Sequence, residues 1–184
     1  MDIELKVATT ENIDEVLALH YRYQIDSIAQ EDKPDGFITT AFTKNHMSRL
    51  IEEENGLFIA LVDNKIVAYA MAASWQFWSQ WPMFEFMIGH LNDADLQNQR
   101  ITSNNSYQYG PVCVDKSVRG AGVFEHIFNF SLKKMSERYP IMVTFINKIN
   151  PRSFAAHTRK TQLQVINEFE FNNNHYFKLA CLAH

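Results

Sequence analysis

The residue types best suited to chemistry are concentrated between Ser106 and Met135. There, Arg-Gly-Ala-Gly at 119–122 separates an apolar run, 107–114, from a segment with apolar residues at helical spacing that begins at Val123. A glycine-rich turn that opens a helix presents backbone N–H groups at the positive end of the helix dipole, and such a turn suits phosphate. The sequence therefore predicts an anion site over 119–124.

Two common phosphate motifs do not fit this turn. The P-loop needs Lys and then Ser or Thr after its last glycine, and Val123 and Phe124 stand there. The dinucleotide motif needs a third Gly or Ala where Glu125 stands, and an acidic residue after the next strand, where Asn147 stands. What remains is an Arg-x-x-Gly turn between a strand and a helix.

The elements that must position the turn follow the order β-α-α-β-β-insert-β-α-β-α-β-β. Alternating or continuous apolar runs predict strands at 3–8, 57–62, 66–72, 107–114, 141–146, 163–171 and 175–182. Helical spacing and capping residues predict helices at 11–24, 43–54, 82–91, 123–135 and 151–160. The polar stretches 27–40 and 92–105 are typical of loops.

This arrangement resembles the GNAT superfamily of N-acyltransferases, whose diphosphate loop has the pattern Gln/Arg-x-x-Gly-x-Gly/Ala. Arg119 and Gly122 match, and Phe124 stands where the family usually has Gly or Ala. The strand at 141–147 and the Asn-Pro-x-Ser helix start at 150–153 follow at the family's spacing, so the resemblance covers nearly the whole chain. It implies an α/β fold with a central mixed sheet of about seven strands and helices on both faces.

The resemblance also implies a single domain, 1–184, with an aromatic-rich insert at about 74–106. It implies an N-acetyltransferase that uses acetyl-CoA as co-substrate, without a metal, and passes the acetyl group by direct attack to a primary amine of a small molecule or peptide. A catalytically silent CoA-binding or sensing domain is the alternative. The residues implied in donor binding are Val112, Val114, Arg119, Gly120, Ala121, Gly122, Val123, Phe124, Asn150 and Ser153.

His157 is the sharpest catalytic candidate, because it falls where many family members carry a Tyr that protonates the leaving thiolate. Imidazole titrates near neutral pH and could do the same, but a histidine on a helix face can equally pack or bond a carbonyl. Asn150 has the same two interpretations, a helix cap or a donor contact. The sequence does not identify the general base. Tyr109 is one candidate, and the other candidates are Tyr107, Glu85, His90, His20 and Glu31.

The insert carries all three tryptophans, Trp75, Trp78 and Trp81, at three-residue spacing. Large aromatic residues are usually core. The insert nevertheless lies next to where the family places its acceptor, so we expect it to form a wall of the acceptor pocket, with at least one of the three indoles lining it.

Composition restricts the remaining possibilities. The chain has 184 residues, 46% of them hydrophobic, with 17 scattered Lys and Arg and a net charge of −4, which does not favour nucleic acid as a partner. Cys113 and Cys181 lie in apolar runs and are expected to be reduced core residues. With no apolar run of membrane-spanning length we expect a cytoplasmic protein; a homodimer is left open.

Overall fold

The structure is a computed structural model that describes residues Met1–His184. The helices are α1 (Ile13–Tyr23), α2 (Lys44–Glu54), α3 (Trp75–Trp78), α4 (Pro82–Gly89), α5 (Val123–Met135) and α6 (Pro151–Arg159). The strands are β1 (Glu4–Val7), β2 (Leu57–Val62), β3 (Lys65–Ala73), β4 (Asp95–Leu96), β5 (Gln99–Arg100), β6 (Ser106–Val114), β7 (Ile141–Asn147), β8 (Gln164–Phe171) and β9 (Asn174–Leu182). Short 3-10 helices lie at Thr10–Asn12, Gln30–Asp35, Leu91–Asp93 and Lys116–Val118.

Seven strands form one mixed sheet in the order β1-β2-β3-β6-β7-β9-β8, and β4 and β5 form a separate hairpin. β6 and β7 pair in parallel, with Ser106 opposite Ile141. The β1–β2, β2–β3, β7–β9 and β8–β9 pairs are antiparallel. The predicted α/β fold with a central mixed sheet of about seven strands is therefore confirmed.

The chain packs as two compact units, one of residues 1–72 and 110–131, the other of 73–109 and 132–184. The single-domain assignment of 1–184 stays a prediction.

In the first unit, α1 buries one imidazole, that of His20, whose Nε2 accepts the Phe42 N–H at 3.2 Å. The proton is therefore on Nδ1, which donates to the Tyr69 hydroxyl at 2.8 Å. Burial lowers the pKa of His20 to about 4, so this ring is neutral at pH 7.

The second unit packs the aromatic face of α4 against its own strands. The Phe84 ring lies 5.5 Å from Phe145, and the Phe86 ring lies 5.3 Å from Phe171. Lys178 of β9 is buried, and its Nζ donates to the His90 carbonyl at 2.9 Å, just past the end of α4. Burial lowers the pKa of this lysine. A cation at a helix C-terminus stabilises carbonyls that lack partners within the helix.

Local sequence signals account for most element ends. Thr43 caps α2 by accepting the His46 N–H, and Asn55 ends that helix in the left-handed conformation. The hairpin between β8 and β9 turns on Asn172 and Asn173, both at positive φ. Three features differ from the predictions. α3 is a helix that was not expected, the predicted loop 27–40 contains the 3-10 helix Gln30–Asp35, and the predicted loop 92–105 contains the β4–β5 hairpin. None of the helices combines the length and the apolar character required to span a bilayer.

Candidate functional site

The turn between β6 and α5 exposes backbone N–H groups, as the sequence predicts. Gly120 and Gly122 both have a φ of +82°, a backbone conformation that residues other than glycine rarely adopt. The Arg119 and Ala121 N–H groups bond to carbonyls within the turn, at 3.4 and 3.2 Å. Those of Gly120 and Gly122 donate to no other backbone carbonyl. The first N–H groups of α5 have no acceptor inside that helix, so they add to the same positive end.

Two cations beside the turn are held by acidic residues of the first unit. Lys116 Nζ lies 2.9 Å from Asp32 Oδ1, and Arg119 Nη1 lies 3.3 Å from Asp35 Oδ2. Asp32 and Asp35 are three residues apart on one 3-10 helix, and Lys116 and Arg119 are three residues apart on or next to another. In a 3-10 helix, residues i and i+3 share a face. An acidic face of Gln30–Asp35 is thus matched to a basic face at 116–119. The sequence showed the charges but not this pairing.

A tyrosine and a carboxylate hold the start of the turn, and sequence reasoning missed both. The Tyr23 hydroxyl donates to Asp115 Oδ1 at 2.6 Å and accepts the Lys116 N–H at 2.8 Å. Asp115 also accepts from Arg22 at 3.0 Å and from Ser117 at 2.6 Å. Burial alone raises the pKa of Asp115, but the three hydrogen bonds outweigh it, and the pKa lies below its usual value.

The remaining donor-binding candidates of the first unit flank the turn. Val112 and Val114 are half-buried at the end of β6, and Val123 is buried at the head of α5. The Phe124 ring stacks on Phe128 with centroids 6.3 Å apart. The side chain therefore packs along α5, one helical turn from its partner.

The candidates of the second unit lie around α6. Asn150 Oδ1 accepts the Ser153 N–H at 3.3 Å, so Asn150 is the helix cap that the sequence predicts. Pro151 occupies the first turn, where its missing N–H costs nothing. The Ser153 hydroxyl lies 3.3 Å from Nδ1 of His157. The donor contacts of Asn150 and Ser153 stay predictions.

The imidazole of His157 is buried, with 4% of its surface exposed. Its Nδ1 donates to the Ser153 carbonyl at 2.7 Å, which fixes the proton on that nitrogen. Burial lowers the pKa of His157 to about 4, against a smaller upward effect of the Ser153 carbonyl. At pH 7 the ring is therefore neutral, and Nε2 carries a lone pair rather than a proton. This state favours the packing interpretation over the proton-donor interpretation.

The base candidates are scattered, and few are poised for proton transfer. Tyr109 is buried in β6, and its ring lies 6.5 Å from that of His157. Burial raises the pKa of Tyr107 well above its usual value. His90 is paired with Asp93 at 2.8 Å. Glu85 and Glu31 are exposed, and His20 is buried and neutral.

The three tryptophans divide into two groups. Trp75 and Trp78 are buried, and their indole N–H groups donate to the Ser106 hydroxyl at 2.9 Å and the Gln108 carbonyl at 3.2 Å. A buried indole normally finds such a partner, so these two side chains hold α3 on β6. Trp81 is half-buried and packs 5.5 Å from Trp78. Trp81 is thus the one indole of the three with exposed surface for an acceptor.

Comparison with known proteins identifies the fold. No protein-family model matches the sequence, and no curated protein matches it. Many solved structures are similar over almost the whole of both chains, and three of them are described here. A GNAT-family acetyltransferase from Streptococcus pneumoniae has a TM-score of 0.66 and 9% identity, over 98% of this chain and 99% of its own.

The second similar structure is yncA of Salmonella typhimurium, assigned as an acetyltransferase and solved with its cofactor acetyl-CoA. It has a TM-score of 0.65 and 10% identity, over 99% of this chain and 94% of its own. The third is the ribosomal-protein-S18-alanine N-acetyltransferase of Escherichia coli, with a TM-score of 0.64 and 7% identity, over 99% and 94%. The chain described here has the fold of the GNAT acetyltransferases.

Proposed function

We propose that this chain is an acetyl-CoA-dependent N-acetyltransferase that acts on a primary amine of a small molecule or peptide. One observation carries the proposal: two glycines at positive φ leave their N–H groups without a backbone acceptor, directly before α5 and after β6. The resemblance assigns the donor's diphosphate to this position, and the similar fold of known acetyltransferases supports it.

Close approach of a diphosphate to this backbone requires open space beside the two glycines. A Cβ atom built on Gly120 would meet no heavy atom within 4 Å, and one on Gly122 would meet only the His126 ring, at 3.5 Å. The space beside both glycines is therefore open. Arg119 and Lys116, each paired with an aspartate, lie beside these amides. By the resemblance, the backbone of Val112 and Val114 would pair with the amides of the donor's pantetheine arm.

Acetyl-CoA, when bound, supplies the thioester that the amine attacks. The amine nitrogen forms a bond to the carbonyl carbon, the carbon–sulfur bond breaks, and the nitrogen loses a proton while the thiolate gains one. A thiolate is already a fair leaving group, and His157 has no Nε2 proton to give at pH 7. The proposal therefore does not depend on His157 as the acid.

The acceptor is proposed to meet the insert at Trp81. An indole face suits an apolar or aromatic body and attracts a cation. A peptide amine belongs among the candidates because the similar enzyme of Escherichia coli acts on the alanine of a ribosomal protein.

Thiol release from acetyl-CoA, followed with a thiol-reactive dye across a panel of small amines and peptides with free N-termini, tests the function. We expect release that depends on one class of acceptor. A protein that binds acetyl-CoA in calorimetry but releases thiol with no acceptor would instead be a CoA-binding sensor. The neutral state of His157 at pH 7 is the observation that keeps this second candidate in view.

A further inference from the structure

The phenol of Tyr23 joins α1 to the segment that precedes the glycine turn 119–122, which is called the donor turn because it is proposed to bind the acetyl donor. The side chain is buried, with 3% of its surface exposed, at the end of α1. It lies 92 residues before Asp115 in sequence, yet its hydroxyl donates to that carboxylate at 2.6 Å. The same oxygen accepts the N–H of Lys116 at 2.8 Å. The Tyr23 hydroxyl oxygen therefore bonds two successive residues, Asp115 and Lys116, just before the donor turn.

The contacts fix a 3-10 turn that leads straight into the glycines. Asp115 accepts the hydroxyl of Ser117 on its second oxygen, at 2.6 Å, and the Asp115 carbonyl accepts the Val118 N–H at 3.1 Å. At the other end, the Asp115 N–H donates to the Val67 carbonyl of β3 at 2.8 Å. Residues 115–118 are thus held on both sides, and Arg119 follows with no intervening residue.

The ring of Tyr23 has a separate contact with the cation of the turn. The guanidinium carbon of Arg119 lies 5.5 Å from the ring centroid, within the range of a cation–π interaction. Arg119 Nη1 contacts Asp35 from another direction. The ring therefore orients the guanidinium, whereas the Asp35 carboxylate competes with an incoming anion for it.

The Tyr23 phenol and the Asp115 carboxylate keep their charge states over a wide pH range, so the hydrogen bond between them persists. Burial, followed by the hydrogen bond to Asp115, raises the pKa of Tyr23 to about 12, so the phenol keeps its proton. The pKa of Asp115 lies below its usual value, so the carboxylate stays charged. A hydrogen bond from a neutral phenol to a carboxylate is among the stronger ones in proteins.

We propose that Tyr23 is the positioning residue of the donor turn: its hydroxyl fixes residues 115–118, and its ring orients Arg119, so that the glycine amides and the guanidinium face the donor's diphosphate together. This role rests on the proposed function, since it assumes that the turn binds acetyl-CoA. Tyr23 itself need not touch the donor.

Tyr23→Phe removes the hydroxyl and keeps the ring. Loss of two hydrogen bonds, one to a charged group, should raise the KM for acetyl-CoA about tenfold, while kcat stays unchanged. The decisive readout is a second donor, S-acetylpantetheine, which lacks the diphosphate. Its kcat/KM should be the same for the variant and the unmodified protein, because only the diphosphate needs the turn.

Two further variants sharpen the test. Tyr21→Phe is the matched control, because Tyr21 lies on the same helix and its hydroxyl donates at 3.1 Å to the Phe42 carbonyl, away from the turn. It should leave both donors unaffected. Ser117→Ala removes an exposed hydroxyl from the Asp115 carboxylate and should reproduce the selective loss at about two- to threefold, even if Tyr23→Phe does not fold.

The possible outcomes separate the two proposals. A protein that binds no acetyl-CoA would overturn the proposed function, and the role of Tyr23 with it. If the unmodified protein transfers acetyl groups but Tyr23→Phe behaves like Tyr21→Phe, the positioning role alone fails. It also fails if Tyr23→Phe or Ser117→Ala loses activity equally with acetyl-CoA and S-acetylpantetheine, because that pattern indicates general destabilisation.

Discussion

Replacing His157 with Asn should remove part of the acid sensitivity of the fold. Burial lowers the pKa of this imidazole to about 4, whereas a histidine in an unfolded chain titrates near 6.5. Between those two values the unfolded chain binds a proton that the folded chain does not. The free energy of unfolding therefore falls as the pH falls through this window, and the full contribution is present above it.

The size of the effect follows from the two pKa values. From pH 7 to pH 5, His157 should lower the free energy of unfolding by about 2 kcal/mol, and the complete titration is worth about 3 kcal/mol. His20, with its pKa also lowered to about 4, adds a loss of the same sign in the same window. The unmodified protein should thus lose stability more steeply than His157→Asn, in which the contribution of His157 is absent.

Urea unfolding at pH 7, 6 and 5, followed by tryptophan fluorescence, measures the slope. Asn can still donate to the Ser153 carbonyl but does not titrate, so His157→Asn should be flatter with pH. His126→Asn is the matched control, because His126 also bonds the carbonyl four residues before it, at 2.6 Å, but is exposed. We expect it to keep the slope of the unmodified protein.

An unchanged slope in His157→Asn would refute the account of a buried neutral imidazole. The same variant also tests the catalytic interpretation. If His157 packs α6, turnover at pH 7.5 should change little. A fall in kcat on the order of 10²-fold, with donor affinity unchanged, would instead assign the thiolate's proton to this residue.

Three further predictions concern the turn and the insert. Gly122→Asp should abolish acetyl-CoA binding in calorimetry. The positive φ should lower the melting temperature, but the melt should stay cooperative because the new Cβ meets only ordinary contacts. Gly89→Asp, at an open helical position, should bind normally, and tight binding by Gly122→Asp would remove the donor assignment. Asp35→Asn releases the guanidinium it holds and should tighten donor binding about two- to fivefold, as an exposed ion pair allows; weaker binding would contradict this. Trp75→Ala should lower the free energy of unfolding by about 3–5 kcal/mol. Trp81→Ala should instead raise the acceptor KM with donor affinity unchanged. A folded Trp81→Ala with an unaltered acceptor KM would exclude Trp81 from the acceptor site.

Local signals made much of this molecule predictable. The turn at Gly120 and Gly122 is predictable from sequence because glycine adopts positive φ most easily. The Asn172-Asn173 turn is predictable because asparagine tolerates positive φ better than most other residues. Asn150 as a cap needs only the three residues that follow it. Each of these features depends on neighbours in the chain, so pattern and propensity suffice.

Features that depend on distant residues were not predictable. The Tyr23–Asp115 bond spans 92 residues, and nothing in either local sequence points to the other. The placement of β9 between β7 and β8 follows from sheet pairing rather than from chain order. The sequence did not separate Trp75 from Trp81, because three-residue spacing does not say which indole packs against β6 and which keeps exposed surface.

The electrostatics of the donor turn bear on how an acidic chain would hold the proposed anionic donor. Lys116 and Arg119 are each paired with an aspartate, so the two side-chain cations add little net positive charge at the turn. The amides of Gly120 and Gly122 remain, together with the head of α5, and these dipoles are fixed by the backbone. Attraction by fixed amides depends on their direction, whereas attraction by net charge does not. The geometry of residues 115–122 should therefore matter more for donor affinity than the count of nearby charges, which is why a substitution at Gly122 is expected to abolish binding and the loss of one aspartate to change it only a few-fold.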